Sequence, residues 1–358
     1  MTINVTKPFL APLEEYQSYV EGIWDRGWLT NHGPLVASLE QNLRDYLRLK
    51  NLLFVSNGTI ALQIALRALD VRGEVITTPF SYVATTSSLV WEGFTPVMAD
   101  ICPDSLNIDP GAIEAAITTR TCAILATHVY GNPCNIHAIS TIAQKYGLKV
   151  IYDGAHAFGS KYEGRSLFDY GDISTASFHA TKLFHTIEGG AIIASTADVS
   201  NVASQMRNFG HISPTDFVRV GINGKNSEFH AAAGLCNLKY IDQILARRKH
   251  LSARYDERLM NLVARPRIFP GCDYNHAYYP IILENEAALL RVVTGLERSE
   301  IYPRRYFYPS LNTLPYLNRK DRAPIAENIA RRVLCLPLFH SLSEQQVDLV
   351  STQVVQHL

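Results

Sequence analysis

The chain carries no net charge, since thirty-three Lys+Arg balance thirty-three Asp+Glu. It lacks the broad basic excess that drives non-specific binding to nucleic acid or anionic membranes, while a local basic pocket for a phosphorylated small molecule stays compatible with it. Its six cysteines (Cys102, Cys122, Cys134, Cys236, Cys272, Cys335) include no C-x-x-C pair. That argues against a zinc ribbon, a thioredoxin motif or a disulfide framework; reduced thiols packed in a core are expected, and no metal site is expected. No run approaches the ~18 apolar residues of a membrane span. The first residues, MTINVTKPFLAPLEEY, show no basic region ahead of an apolar stretch, so no secretory signal is expected. Neither a nucleotide P-loop nor a G-x-G-x-x-G is present. The expectation is a soluble, cytoplasmic protein that binds neither nucleic acid nor membrane.

With 358 residues, 47% hydrophobic and 18% charged, the balance is globular, and the length fits two domains or one large α/β domain. Two helical patterns come first: LEEYQSYVEGIWDRG, stopping at Gly27, and a second that begins with Pro34 in its first turn. Short apolar or β-branched runs then alternate with helical segments. LLFVS, EVITT, PVMAD, CAILATH and KVIYD read as strands; TIALQIALRAL, YVATTSSLVWEG, a segment near 110–117 and IHAISTIAQKYG read as helices. Such alternation predicts βαβ units and a mostly parallel sheet flanked by helices. After Ser195 the pattern is helical again, with one long stretch from about Glu228 to Met260. Strand YYPIIL and helices near 286–298 and 343–357 follow. The division expected is a large α/β domain over 1–249 and a smaller C-terminal α+β domain over 250–358.

In open parallel sheets ligands gather at the carboxyl ends of strands, and four places there carry unusual polar residues. Ser56-Asn57-Gly58-Thr59 joins a strand to a buried helix. Its glycine permits close approach, and the helix start offers N–H groups to an anion; a simple helix cap is the commoner reading of the same residues. Asp153 ends KVIYD, where a carboxylate either holds a positive heterocycle or caps the next helix, and His156 follows. Ser177-Phe178-His179-Ala180-Thr181-Lys182 precedes Glu188-Gly189-Gly190, so a lysine lies between two strand-like segments. A desolvated lysine there can form a Schiff base, although most lysines are solvated surface. Pro79-Phe80-Ser81-Tyr82 places an aromatic at a strand-to-helix junction, for stacking on a planar ligand or for core packing. Together these make the parts list for pyridoxal phosphate: phosphate cradle, ring-stacking group, acid opposite the pyridine nitrogen and Schiff-base lysine.

SNGTIAL, TTPFSYVAT, YDGAHAFG, GDISTASFHATKLFHTIEGGA and GINGKNSEFHAAAGL make the chain resemble the DegT/DnrJ/EryC1/StrS sugar aminotransferases, of fold type I among pyridoxal phosphate enzymes. The resemblance runs from WLTNHGPL to LPLF, almost the whole chain. It implies that Lys182 carries the cofactor as a Schiff base and shuttles the proton. Asp153 would pair with the pyridinium nitrogen, Tyr82 would stack on the ring and His156 would lie beside the ring hydroxyl. Gly58, Thr59 and Ser177 would hold the phosphate. Asn223 would reach that phosphate from a neighbouring subunit of a homodimer with shared active sites. Ala180 replaces the usual proline, and Gly224-Lys225-Asn226 replaces a more usual aromatic-Arg-Met, which leaves Lys225 and Asn226 as alternatives for the Asn223 contact.

The resemblance further implies transfer of the amino group of L-glutamate, released as 2-oxoglutarate, to the C4 keto group of a dTDP-4-keto-6-deoxyhexose. The product would enter O-antigens or other surface glycans. Amination at C3, or of a UDP-sugar, is the alternative inside the class. The family's sugar dehydratase reading fails on Lys182, because that branch lacks the lysine. A non-catalytic binding protein of the same fold is the reading from outside the class.

Overall fold

The computed structural model describes residues 2–317 and 321–358. Helix α1 (Leu13–Arg26) stops where Gly27 turns left-handed at φ 61° and closes its N–H onto the Ile23 and Trp24 carbonyls, a conformation that suits a residue without Cβ. Helix α2 (Pro34–Leu47) opens on Pro34. The N–H groups of Leu35 and Val36 both donate to the Glu228 carboxylate at 2.9 Å, so this helix start is capped from far along the chain.

Seven strands build the central sheet: β1 (Leu53–Val55), β2 (Glu74–Thr77), β3 (Thr95–Met98), β4 (Thr121–Thr127), β5 (Lys149–Asp153), β6 (Ile173–Ser177) and β7 (Gly190–Ala194). Their order in space is β1-β7-β6-β5-β4-β2-β3. Strands β3, β2, β4, β5 and β6 are parallel, while β7 runs antiparallel to both β6 and β1. Helix α3 (Gly58–Ala68) follows β1, and α4 (Val83–Trp91), α5 (Pro110–Ala116) and α6 (Ile136–Tyr146) connect the parallel strands. Adjacent strand residues enter different cores: Ile76, Ile124 and Tyr152 face one side, Val75, Leu125 and Ile151 the other. Both faces are therefore covered, which explains the near-continuous apolar text of these strands.

The helical stretch expected from Glu228 to Met260 is broken. After α7 (Ala197–Arg207) come α8 (Glu228–Leu238) and α9 (Ile241–Leu259), two helices joined by a bend. Buried Asn237 donates to the His185 carbonyl at 3.0 Å, and Lys239 and Tyr240 close short turns onto the Cys236 and Asn237 carbonyls. The side chains of both Lys239 and Tyr240 are bonded to Glu15 of α1. Apolar periodicity continues through the bend and hides it. Helix α8 packs on α1 and α2, whereas α9 leads away toward the C-terminal helix.

A second core gathers Leu251, Tyr255 and Leu259 of α9 with the antiparallel pair β8 (Tyr279–Ile282) and β9 (Val333–Leu336) and with residues of α10 (Glu286–Arg298) and α12 (Glu344–His357). Helix α11 (Pro324–Arg332) packs instead on the first core, as do Tyr306 and Phe307. Ile3 joins the second core because Ile3–Asn4 pairs in parallel with Ile301–Tyr302. The chain thus carries residues from beyond position 300 back to the edge of the large sheet.

Candidate active site

A cavity of about 460 Å³ opens at the carboxyl ends of β1, β5 and β6. Gly58, Thr59, Tyr82, Asp153, His156, Ser177 and Lys182 all line it, so every site residue expected from the sequence except Asn223 meets at one place. Larger clefts of about 740 and 760 Å³ lie elsewhere; the lysine in the first is bonded to Asn208, and the second contains no lysine.

The floor is the β1–α3 turn. Asn57 is indeed the helix cap, its side chain accepting from Ile60 N at 2.8 Å. That leaves the N–H groups of Gly58 and Thr59 without an intrahelical acceptor, at the positive end of an eleven-residue helix. A Cβ on Gly58 would stand 3.0 Å from the Ser177 Cβ, so glycine lets the turn and the Ser177 hydroxyl share this floor without crowding. A Cβ on Gly190 would meet the Asn57 carbonyl carbon at 2.5 Å, which explains why β7 enters the sheet on a glycine pair.

Asp153 is buried at the end of β5. Its Oδ2 accepts the Thr85 hydroxyl at 2.7 Å and its Oδ1 the Ala155 N–H at 3.0 Å. No helix starts there among the described residues, so Asp153 caps only the short turn at Ala155, and it lines the cavity. His156 is buried, with Tyr130 N donating to its Nδ1 at 3.3 Å, which leaves the Nε2 as the N–H donor. Burial, and next the charge of Lys182, hold its pKa well below the ordinary histidine value. The aromatics Phe80 and Tyr82 divide their tasks: Phe80 is core, and Tyr82 is 55% exposed at the cavity mouth.

Lys182 sits in the β6–β7 loop and forms no ion pair among the described residues. Desolvation lowers its pKa to about 8; the Asp153 carboxylate opposes that shift and the Arg304 guanidinium adds to it. A lysine so placed has a useful fraction of free amine near neutrality.

Asn223 lies outside the cavity of its own chain. It is exposed and bridges to Asn208. Its two alternatives are tied down: Lys225 Nζ donates to Asn208 Oδ1 at 2.7 Å, and Asn226 Nδ2 to the Glu188 carbonyl at 3.0 Å. Residues that sequence reading passed over also line the cavity, namely Arg304, Tyr306 and Phe307. They sit at no strand end of the large sheet, and only the dense RRYFYP text marks them. Thr85 was equally hidden, inside a helix read only for its periodicity.

The sequence pattern of the DegT/DnrJ/EryC1/StrS aminotransferase family matches residues 12–355. The chain belongs to this family. It is 44% identical to a dTDP-4-amino-4,6-dideoxy-D-glucose transaminase of Shigella dysenteriae, over 98% of both chains. It is 40% identical to a transaminase of the same name from Escherichia coli, over 97% of this chain and 96% of that one. Among solved structures, DesI in the presence of its TDP-sugar product superposes with a TM-score of 0.92 at 31% identity, covering 99% of this chain and 92% of that one. The family's members are nucleotide-sugar aminotransferases that depend on pyridoxal phosphate. The site of this aminotransferase fits that cofactor: free helix-start N–H groups and a glycine floor match the phosphate, and a buried, oriented carboxylate matches the ring nitrogen.

Proposed function

We propose that this chain moves the amino group of L-glutamate to C4 of a dTDP-4-keto-6-deoxyhexose, giving dTDP-4-amino-4,6-dideoxy-D-glucose. The observation that carries the reading is the convergence of Lys182, Asp153 and the Gly58–Ser177 floor in one cavity. The choice of sugar, carbon and nucleotide is supported by 44% and 40% identity over nearly full length to transaminases named for that product.

When bound, pyridoxal phosphate supplies an electron sink and carries the amino group between the two substrates. Gly58, Thr59 and Ser177 would hold its phosphate, and Asp153 its ring nitrogen in the protonated state. Tyr82 would cover the ring, and the Nε2–H of His156 would face its hydroxyl. Thr85 keeps Asp153 aimed by donating to Oδ2. The Lys182 Nζ anchors the cofactor and takes and returns the proton of the carbon that exchanges its amine, a task suited to an amine whose pKa lies near 8. Buried aromatic neighbours on the His156 side, among them Tyr130, Tyr278 and Phe307, exclude water from that wall.

The protein is read as a cytoplasmic homodimer in which Asn223 completes the partner's phosphate site, and its product as a precursor of O-antigen or another surface glycan. Among the described residues no helix is long and apolar enough to cross a membrane. Incubation with L-glutamate and a panel of dTDP-, UDP- and GDP-linked 4-keto and 3-keto sugars, with mass and NMR identification of products, tests the assignment. Amination only of a 3-keto or a UDP-linked sugar would replace the proposed substrate. No amination of any sugar in the panel would remove the proposed reaction.

A further inference from the structure

Arg304 and Arg305 are neighbours in sequence with opposite surroundings. Arg305 Nη2 donates to Glu286 Oε1 at 2.6 Å and to the Arg331 carbonyl at 3.1 Å, and its guanidinium lies 3.6 Å over the Tyr308 ring. Arg304 has no carboxylate partner among the described residues. Its guanidinium lies 4.7 Å from the centre of the Tyr306 ring, and it lines the cavity that holds Lys182 and Asp153. The base of this side chain is held firmly. Arg304 N donates to the Cys335 carbonyl at 3.1 Å and Cys335 N to the Arg304 carbonyl at 2.8 Å, on a strand that is fully buried. The residue as a whole is exposed, and its tip rests against the Tyr306 side chain rather than in an ion pair. An uncompensated guanidinium near the reactive lysine raises the local electrostatic energy, and a bound anion would relieve it.

We propose that Arg304 clamps the α-carboxylate of the amino donor. The proposal rests on the aminotransferase reading above and assigns one of its two substrates to a residue. The nucleotide sugar also brings anionic groups, but its diphosphate is attached across the ring from C4. The α-carboxylate of glutamate is bonded directly to the reacting carbon. Arg304 lines the same cavity as Lys182, the residue that meets the reacting carbon, and has no carboxylate partner there, which favours the carboxylate. A planar guanidinium offers two parallel N–H donors to a carboxylate. The exposed tip can swing aside when the keto-sugar, which has no carboxylate at that place, occupies the same space.

The test uses the cofactor-loaded enzyme and 2-methyl-L-glutamate, which has the α-carboxylate but no α-proton and so reports binding without turnover through the visible spectrum. Arg304→Gln should raise its Kd about tenfold or more, as expected for losing hydrogen bonds to a charged group, with Arg304→Lys intermediate. The Kd for dTDP-4-amino-4,6-dideoxy-D-glucose should change by less than about twofold on the same scale. 4-Aminobutyrate, which lacks the α-carboxylate, should not distinguish the variant from the unaltered protein. Weaker sugar binding with donor binding intact would assign Arg304 to the diphosphate and overturn the proposal. Equal weakening of all three ligands would make it a structural residue, with the same consequence. If the unaltered enzyme shows no spectral response to either L-glutamate or the amino sugar, the aminotransferase reading itself fails, and the proposal fails with it.

Discussion

Thr85 gives its hydroxyl proton to Asp153, with Oγ1 2.7 Å from Oδ2 and both residues buried. An ionised carboxylate only accepts, so this bond has one direction. Thr85 must then accept from Ser81, whose hydroxyl is 2.8 Å away, and Ser81 from Thr127 at 3.0 Å. Three hydroxyls from the end of β4 to α4 thus hold one carboxylate oxygen, each bond polarising the next. Thr85→Val keeps the shape and removes the donor. We expect the half-reaction with L-glutamate to slow by about tenfold to a hundredfold, from a lost bond to a charged group worth about 1.5–3 kcal/mol. Stopped-flow absorbance checks the rate, and a thermal scan checks that the fold persists. An unchanged rate would show that Asp153 is held in place by packing alone.

Lys182→Ala should abolish the visible absorbance of lysine-bound cofactor and reduce turnover by orders of magnitude. The fold should survive, because Lys182 makes no ion pair among the described residues and the neighbouring β6 and β7 are held by their ladder. Phosphate and ring contacts remain, so some cofactor should still bind. Near-normal steady-state transamination by this variant would remove Lys182 from the mechanism.

The large sheet was legible because each strand is short, apolar and followed by a helical segment. The antiparallel sense of β7 was not, since GAIIA reads the same in either direction. The chemistry at strand ends was legible for a physical reason: Gly58, Asp153 and Ser177 stand where polar residues interrupt apolar runs. Thr85 and Thr127 left no such mark, because buried hydroxyls on helix and strand resemble ordinary core-edge residues, and Ser81 stood out only as a neighbour of the junction aromatics. Arg304 and Tyr306 reach the cavity only through tertiary folding, from about 120 residues beyond Lys182.

The charges around Lys182 predict how its titration moves. Its amine is mostly protonated below about pH 8 and mostly free above it. Asp153 raises that midpoint and Arg304 lowers it. Asp153→Asn should therefore move the midpoint further down, and Arg304→Gln should move it up toward the ordinary lysine value. Competitive acetylation of cofactor-free protein across pH, read by mass spectrometry at Lys182, measures both. Asp153→Asn should also slow the glutamate half-reaction far more than it weakens cofactor binding, since packing is kept and the charge opposite the ring nitrogen is lost. The reverse pattern would make Asp153 a structural residue.

Asn223 links the phosphate site to assembly in this reading. The base of its loop is pinned to the floor of its own site, with Ser56 N donating to the Gly224 carbonyl and Gly224 N to the Arg207 carbonyl, both at 2.9 Å. The Asn223 residue nevertheless faces outward, and the segment before it exposes Phe217 (62%), Val218 and Val220 (90%) together with Ile222. Four large apolar side chains exposed along one loop are costly on an isolated chain and are relieved by a partner surface. Lys225 is the wrong residue to alter, because its bond to Asn208 and its place over the Phe209 ring support the loop itself. Asn223→Ala removes a side chain with no such local task. If Asn223 completes the partner's phosphate cradle, cofactor should raise the thermal midpoint and favour the dimer in the unaltered protein, with both effects weakened in Asn223→Ala. Val220→Asp should act differently, weakening association with or without cofactor. Sedimentation at several concentrations, with and without pyridoxal phosphate, separates these outcomes. A fully active monomer would refute the shared site while leaving Lys182 and Asp153 in their places.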